Sequence, residues 1–209
     1  MGKRSTKERV LGAAVRLFNE KGTAAVSTNH IAEEAGISPG NLYYHYRNKE
    51  EIIREIFERI DAFWGEAYSL PIDGAPTLGD MRAMVEETFA GLWDYRFFYR
   101  ELAALTRRDA GIQARYLKVR DRGLSGTEAL LRNFVEAGVL KEPEDEAAIP
   151  ELAKTLMLIA EHWLPFAEAG GEEPGPARVR EGAALMMRVL RPRLTDRAMA
   201  GLLAAETRR

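Results

Sequence analysis

The stretch that decides the fold is Ser27-Thr28-Asn29-His30-Ile31-Ala32-Glu33-Glu34-Ala35-Gly36-Ile37-Ser38-Pro39-Gly40-Asn41-Leu42-Tyr43-Tyr44-His45-Tyr46. Its first part predicts a short helix, because Ile31 and Ala35 are spaced to share one apolar edge. Its second part predicts another short helix, in which Leu42 and Tyr46 face back toward the first.

A turn is predicted between these two helices. Gly36 allows a tight left-handed conformation at little cost. Ile37 then packs between the helices, and Ser38-Pro39 is typical of a helix start, with Ser as the N-cap and Pro at the first helical position. The stretch therefore predicts a helix-turn-helix, a unit too small to bury a core alone.

Longer amphipathic helices flank the unit. The helix before it has apolar residues at helical spacing and ends at Gly22; these residues are Val10, Ala14, Leu17 and Phe18. The helix after it starts at Asn48-Lys49-Glu50-Glu51, a capping box with Asn48 as the cap. Together they would complete a three- or four-helix domain.

The remaining sequence is also helical, so the predicted fold class is all-α. A loop is predicted at 71–76, followed by a helix capped by Thr77-Leu78-Gly79-Asp80. Further helices are predicted near 96–107, 110–137, 145–168, 177–191 and 195–206. No run of alternating residues bounded by turns indicates a strand.

Composition excludes several classes of protein. The 209 residues include no Cys, which excludes disulfides, Cys-ligated metals and thiol catalysis. Only three His are present, far apart, so no metal site is expected, and we expect no cofactor. No apolar stretch is long enough for a membrane span and no signal peptide is recognisable, so a cytoplasmic protein without membrane contact is predicted.

An enzymatic function lacks a supporting motif. Gly36-Ile37-Ser38-Pro39-Gly40 superficially matches a Gly-x-Ser-x-Gly nucleophile elbow, but that elbow needs a strand before the Ser, and here a helix precedes it. No Gly-rich phosphate loop is present. We therefore predict that the chain is not an enzyme. A small helical enzyme and a helical protein-interaction adaptor are the alternatives to the function below.

The N-terminal quarter of the chain resembles the tetracycline-repressor-like (TetR) family of transcriptional regulators. The matching motifs are Ala14-x-x-Leu17-Phe18-x-x-x-Gly22, Ser27-Thr28-x-x-Ile31-Ala32-x-x-Ala35-Gly36-Ile37-Ser38, Leu42-Tyr43-x-His45-Tyr46 and Asn48-Lys49-Glu50. The resemblance implies a DNA-binding domain at residues 1–60, with the motif at about 27–46, and an effector-binding and dimerisation domain at 61–209. Asn41 stands where the family often has Thr or Ala, so the target sequence is not transferable.

In this setting each residue of the motif has a predicted role. Thr28 would cap the first helix and offer its hydroxyl or amide to a phosphate, with Asn29 beside it. Pro39, Gly40 and Asn41 start the recognition helix, which enters the major groove, and an Asn there can bind adenine through two hydrogen bonds.

Phosphate contacts from Tyr43, His45 and Lys49 are implied by the resemblance. The alternatives stay open: the aromatic run at 43–46 is compatible with ordinary packing, and Asn29 and Asn41 with solvated helix starts. Lys3, Arg4 and Lys7 belong to either a DNA-contacting arm or a disordered tail.

The predicted function is a ligand-responsive, homodimeric regulator, acting as a repressor that a small, largely apolar effector releases from a palindromic operator. Nine of the 18 aromatic residues lie between 63 and 99, which suits either a core or a pocket. The candidate effector contacts are Trp93, Phe97, Tyr116 and His162. Apolar stripes of two later helices can form a four-helix dimer interface or face their own core; they are Ile149, Leu152, Leu156, Ile159 and Trp163, and Val179, Ala183, Met186, Met187 and Leu190.

Overall fold

A computed structural model describes residues 5–67, 74–171 and 175–200, and in these ranges the chain is helical without a strand. A single isolated bridge pairs Leu140 with Leu194. The all-α prediction is therefore confirmed. The helices are α1 (Thr6–Ala25), α2 (Thr28–Glu34), α3 (Pro39–His45), α4 (Lys49–Ala67), α5 (Leu78–Asp94), α6 (Arg96–Arg108), α7 (Ala110–Glu136), α8 (Ala148–Ala169) and α9 (Pro176–Leu190), with a 3-10 turn at Arg191–Arg193.

Local signals set the end of α1 and the start of α4. Gly22 adopts a φ of 75°, which breaks α1 near its end as predicted. The side chain of Asn48 accepts a hydrogen bond from the Glu51 N–H at 2.9 Å, so the predicted cap of α4 is present. Glu51 itself reaches back to the N–H of Arg47, one residue before the cap, at 2.8 Å. Of the two predicted segments at 71–76 and 195–206, residues 71–73 and 201–206 lie outside the described ranges, and residues 196–200 are helical.

The chain divides into two compact units. The first contains residues 1–63 and 94–116, and the second contains residues 64–93 and 117–209. The predicted division at residue 60 differs from this arrangement, because α6 and the start of α7 belong to the unit that holds the helix-turn-helix. The chain passes between the units at Phe63–Trp64 within α4, at Trp93–Asp94, and at Tyr116–Leu117 within α7.

Aromatic packing attaches α6 to the first unit. Phe97 packs on Phe18 of α1 with ring centroids 5.2 Å apart. Phe98 stacks on Phe57 of α4 at 4.7 Å and an interplanar angle of 13°. All four side chains are buried. Burial of a side chain this large contributes roughly 1.5–3 kcal/mol, so α6 is part of this unit's core.

Buried polar residues at the end of α1 reinforce this attachment. The Asn19 side chain donates to the carbonyl of Asp94 at 2.8 Å and accepts from the N–H of Phe97 at 3.0 Å. Thr23 donates its N–H to one oxygen of the Glu101 carboxylate at 2.8 Å, and its hydroxyl bonds the other oxygen. Asn19 thus supplies an acceptor at the start of α6, where the helix has backbone N–H groups without intrahelical partners.

The second unit has a close helix contact at Gly182. A methyl group added there would lie 2.2 Å from Phe89 of α5 and 2.4 Å from Trp163 of α8. The indole N–H of Trp163 also donates to the carbonyl of Arg178 at 2.7 Å. Glycine therefore allows α9 to approach both neighbours closely, since any side chain would collide with their rings.

The predicted apolar stripes of α8 and α9 mostly face their own unit. Ile149, Leu152 and Leu156 of α8 are buried. Ala183, Met186 and Leu190 of α9 are buried as well. A different line of α8 is exposed, with Leu158 at 61% and Phe166 at 73% relative accessibility and His162 between them. Among the described residues, no helix is sufficiently long and apolar to traverse a lipid bilayer.

Candidate nucleic-acid interface

The first helix of the motif begins with a cap that the sequence analysis placed one residue too late. Ser27 is the N-cap of α2, and its hydroxyl accepts from the N–H of His30 at 3.2 Å. The Nδ1 atom of His30 accepts in turn from the Ser27 N–H at 3.3 Å. The prediction that Thr28 caps this helix is therefore wrong: Thr28 is the first helical residue, which leaves its hydroxyl available for another partner.

The turn between α2 and α3 has the predicted geometry. Gly36 has a φ of 64°, in the left-handed region that favours glycine. The guanidinium of Arg9 donates to the carbonyls of Ala35 and Gly36, the latter at 3.0 Å. Ile37 is half-buried. Arg9 in α1 therefore holds the turn in place. The sequence analysis did not assign this role, because Arg9 lies 26 residues before the first carbonyl it bonds.

The recognition helix α3 presents its first turn to solvent. The Ser38 hydroxyl accepts from the N–H of Asn41 at 3.2 Å, and Pro39 is the first helical residue, both as predicted. Pro39, Gly40 and Asn41 are exposed. A methyl group added at Gly40 would meet no atom within 4 Å. The surface at the start of this helix is thus open to an approaching molecule, and the Asn41 amide is accessible.

A pair of hydroxyl groups joins the two motif helices at their exposed side. Thr28 Oγ1 and Tyr43 Oη lie 3.1 Å apart. Tyr43 is 51% exposed, and Asn29, next to Thr28, is also exposed. His45 is half-buried and lies against the edge of Tyr44, with ring centroids 5.2 Å apart. The structure therefore brings Thr28 and Tyr43 together, as two hydroxyls suited to one phosphate group.

Tyr46 is buried beneath this surface, as predicted. Leu42, four residues earlier in α3, is fully buried, and its carbonyl accepts from the N–H of Tyr46, the residue that ends the helix. Burial raises the pKa of the Tyr46 hydroxyl, and the nearby carboxylate of Glu55 adds to the rise. Tyr46 thus stays neutral and forms part of the core.

Lys7 does not act as part of a free arm. Its ammonium pairs with Glu55 at 3.1 Å and lies 5.4 Å from the centre of the Tyr46 ring. Helix α1 begins at Thr6, after a capping box formed by Ser5 and Glu8. The alternatives of an arm or a tail are both wrong for Lys7, because a capped helix orders this residue. Lys3 and Arg4 lie outside the described residues.

Lys49 has internal partners. Its ammonium donates to the carbonyl of Thr23 and to the carbonyl of Val26, the latter at 2.8 Å. Those carbonyls lie at the end of α1, and Lys49 is the first residue of α4. Two of its three N–H donors are therefore engaged within the fold, which leaves one for a phosphate.

Two exposed side chains near α3 received no role from the sequence. Tyr44 is the most exposed of the large apolar side chains described, at 85%. Arg47 is exposed, directly after the buried Tyr46. The sequence did contain a signal for a role of Arg47 in DNA binding, because Arg47 lies between His45 and Lys49 in a cluster of basic residues.

The four predicted effector contacts fall in different surroundings. Phe97 is completely buried in the core of the first unit, and Tyr116 is the last residue of that unit. Trp93 belongs to the second unit and is half-buried, and His162 is exposed on α8. The set stays a prediction, in which the complete burial of Phe97 favours a packing role for that residue.

Family models match most of the chain. Residues 10–56 match the model described as bacterial regulatory proteins, tetR family, and residues 62–202 match the model described as bacterial transcriptional repressor. The first match contains the helix-turn-helix and the start of α4. The second covers more than half of the chain, from the end of α4 onward.

Solved structures share the fold over nearly the whole length. A TetR-family transcriptional regulator from Marinobacter aquaeolei VT8 is 31% identical, with a TM-score of 0.87 and 98% of each chain covered. SmeT, the repressor of the Stenotrophomonas maltophilia multidrug efflux pump SmeDEF, is 24% identical, with a TM-score of 0.65 and 92% of each chain covered.

Curated relatives match over part of the chain. The regulator AcrR from Shigella flexneri is 34% identical over 61 residues, which are 29% of this chain and 28% of AcrR. The repressor NicS from Pseudomonas putida is 28% identical over 141 residues, 65% of this chain and 64% of NicS. The chain thus spans less than two thirds of the length of these relatives. Given the family models and the matching fold, the chain belongs to the tetR family of bacterial regulatory proteins and is a DNA-binding transcriptional regulator rather than an enzyme.

Proposed function

We propose that this regulator is a homodimeric repressor that binds a palindromic operator and leaves it when a small effector binds. The observation that carries the proposal is the exposed first turn of α3, where Gly40 and Asn41 project from a helix capped by Ser38. The first residues of a recognition helix are the ones that contact base edges in the major groove.

Asn41 is the proposed base reader. Its amide carries both a donor and an acceptor, which matches the two hydrogen-bonding positions of adenine in the major groove. Gly40 has no side chain and open space around it, so the helix backbone can come close to the bases. We expect Asn41 to determine which sequence is preferred.

Phosphate contacts are proposed for the residues around the hydroxyl pair. Thr28 and Tyr43 would share one phosphate, and His45 would contact the backbone beside them. Lys49 has one N–H left for the same purpose, and the exposed guanidinium of Arg47 is added as a contact that the sequence analysis did not assign. Such contacts fix the position of the protein without selecting a sequence.

The exposed line of α8 supports the homodimer. Leu158 and Phe166 lie eight residues apart, on one face of the helix, with His162 between them. Two copies that meet through this face around a twofold axis would bury both apolar side chains. A twofold dimer requires a palindromic site with half-sites about 34–36 Å apart, or a multiple of that distance.

Release by an effector requires that it bind the DNA-free conformation more tightly. A ligand with equal affinity for both conformations would shift nothing. The two units share helices α4 and α7, so a ligand in the second unit has two continuous helices through which to act on the first. Trp93 is the predicted contact that lies in the second unit and is half-buried, and we retain it as a candidate.

The test is selection of bound sequences from random duplex DNA by the full chain, repeated with Asn41→Ala. We expect a palindrome for the wild type and a changed preference for the variant, with a loss of discrimination of about 1–3 kcal/mol at one base pair per half-site. The matched control is Asn133→Ala, an exposed Asn on α7. Absence of any selected sequence would contradict DNA recognition, and an asymmetric site would contradict the twofold dimer.

A further inference from the structure

The second unit contains an open groove between α5 and α9 with a volume of about 620 Å³. None of the four predicted effector contacts lines it. Its walls combine apolar side chains with arginines: Arg82, Val85, Glu86, Val179, Arg180, Ala183, Ala184, Met187, Arg188 and Arg191. This volume falls within the range of small-molecule sites in proteins, about 300–1,000 Å³.

The floor of the groove is a continuous apolar line along α9. Val179, Ala183 and Met187 are spaced four residues apart and therefore lie on one face of the helix. Ala184, which also lines the groove, has a small side chain that leaves the space beside this line open. From 179 to 191 the groove extends roughly 18 Å along the helix, at the usual rise per residue. This shape suits a long, narrow apolar group.

Positive charge dominates the walls. The groove has four arginines and one carboxylate, that of Glu86. Within the described ranges, none of these five side chains forms a hydrogen bond or an ion pair. Each guanidinium has five N–H donors, so the groove offers many donors to an anion. Arg188 lies in the last turn of α9, and Arg191 follows the helix in a helical conformation three residues later, so the two are neighbours at one end of the apolar line.

The contact at Gly182 holds the two walls of the groove together. Phe89 of α5 fills the space beside this glycine, and Phe89 is completely buried. The groove is thus built next to a tight helix crossing, so that binding would require little rearrangement of its walls. A preformed site avoids part of the ordering cost of binding.

We propose that this groove binds an amphipathic anion, namely a carboxylate or phosphate head group on a single linear apolar chain. The head group pairs with Arg188 and Arg191, and the chain lies along Met187, Ala183 and Val179. The four guanidinium groups favour an anionic occupant over a second copy of the protein, because burying them in a contact without paired carboxylates would be costly. Any effect of this ligand on DNA rests on the function proposed above, whereas the binding itself does not.

The test is calorimetric titration of the full chain, without DNA, with decanoate and with decyl phosphate below their micelle concentrations. We expect saturable binding of one molecule per chain by at least one of the two. Decanol and decyltrimethylammonium carry the same chain without an anionic head, and we expect both to bind at least about tenfold more weakly. Equal binding of decanol would overturn the assignment, as would the absence of binding by both anions.

Variants locate the site. The double variant Arg188→Gln/Arg191→Gln should weaken binding of the anion at least about tenfold. Ala184→Leu, at an exposed position, should weaken it by occupying the groove, while the control Arg132→Gln, an exposed arginine on α7, should leave it unchanged. Unchanged binding in the double variant would overturn the proposal. So would conversion of a dimer to a monomer by Ala184→Leu with anion binding intact, because the groove would then be an interface between copies.

Operator affinity, measured separately with and without decanoate, distinguishes this inference from the proposed function. Binding of the anion with unchanged operator affinity would support the groove as a site and contradict only its role as the effector site. Loss of operator recognition would contradict the proposed function and leave the calorimetric result as it stands.

Discussion

Replacement of Lys49 by Met should lower the stability of the protein as well as its affinity for DNA. The Lys49 ammonium donates to the carbonyls of Thr23 and Val26 and so joins the start of α4 to the end of α1. Methionine keeps an unbranched chain of similar length and removes all three donors. Both carbonyls lose these partners in the variant, and the contact that orients α4 beside the motif is lost.

The expected cost follows from these two hydrogen bonds. A hydrogen bond to a charged group contributes about 1.5–3 kcal/mol, and an exposed ion pair about 0.2–1 kcal/mol. Two fully buried bonds would contribute about 3–6 kcal/mol, but Lys49 is only half-buried and solvent weakens both bonds, so we expect a loss of roughly 2 kcal/mol for the pair. Such a loss changes the ratio of folded to unfolded protein by a factor of about 30.

The measurement is urea unfolding of the full chain, paired with operator binding at several salt concentrations. The control for unfolding is Lys118→Met, an exposed lysine on α7, which should leave stability within about 0.5 kcal/mol. For Lys49→Met we expect the log–log salt slope to fall by about 0.9, through loss of one charged phosphate contact. For His45→Ala, which removes a hydrogen-bonding group, we expect weaker binding to all duplexes alike. Wild-type stability with a reduced slope for Lys49→Met would refute the positioning role, and an unchanged slope for Lys49→Met with unchanged affinity for His45→Ala would remove the phosphate contacts.

Three further changes test the packing and the polar contacts. Gly182→Ala should lower the free energy of unfolding by about 1–3 kcal/mol, because the added methyl group would lie 2.2 Å from the Phe89 ring. The control Gly65→Ala, in a helix with open space around the added methyl group, should raise the free energy of unfolding by up to about 1 kcal/mol. Equal effects of the two substitutions would contradict the close contact of α9 with α5. Asn19→Ala should cost about 1–3 kcal/mol in urea unfolding, since the Phe97 N–H would lose its partner, and a neutral result would contradict the role of Asn19. Burial favours a higher pKa for Asp109, but hydrogen bonds from Arg54 and from the backbone outweigh it and lower the pKa. Its contribution to stability is therefore present above the unfolded pKa of about 3.9 and is lost as the pH falls through the lower folded value, so acid titration should show a smaller loss for Asp109→Asn than for the wild type.

The helix-turn-helix could be predicted because its determinants are local. Gly36 occupies the left-handed turn, Ser38 caps α3 three residues before the N–H it binds, and Asn48 caps α4 in the same way. Such signals need only a few consecutive residues. An error within the motif, Thr28 in place of Ser27 as the cap of α2, arose because adjacent Ser and Thr are both good N-cap residues.

The position of α6 could not be predicted in the same way. Asn19 bonds a carbonyl 75 residues away and an N–H 78 residues away, and neither partner is recognisable from its own sequence. Phe97 shows the same difficulty, because an aromatic residue at helical spacing fits a core as well as a ligand pocket. Its contact with Phe18 assigns it to the core of the first unit.

The arginines in α9 and directly after it show why a charge pattern can be interpreted only once the fold is known. In the sequence, Arg180, Arg188 and Arg191 are indistinguishable from the solvated face of an amphipathic helix. Gly182 allows α9 to lie close to α5, which places these arginines along one groove together with Arg82, which is 98 to 109 residues earlier in the chain. Positive charge on a solvated face needs no partner, whereas four guanidinium groups along one apolar groove repel one another and favour an anion between them. The chemistry of the ligand that we propose thus follows from a glycine contact as much as from the arginines themselves.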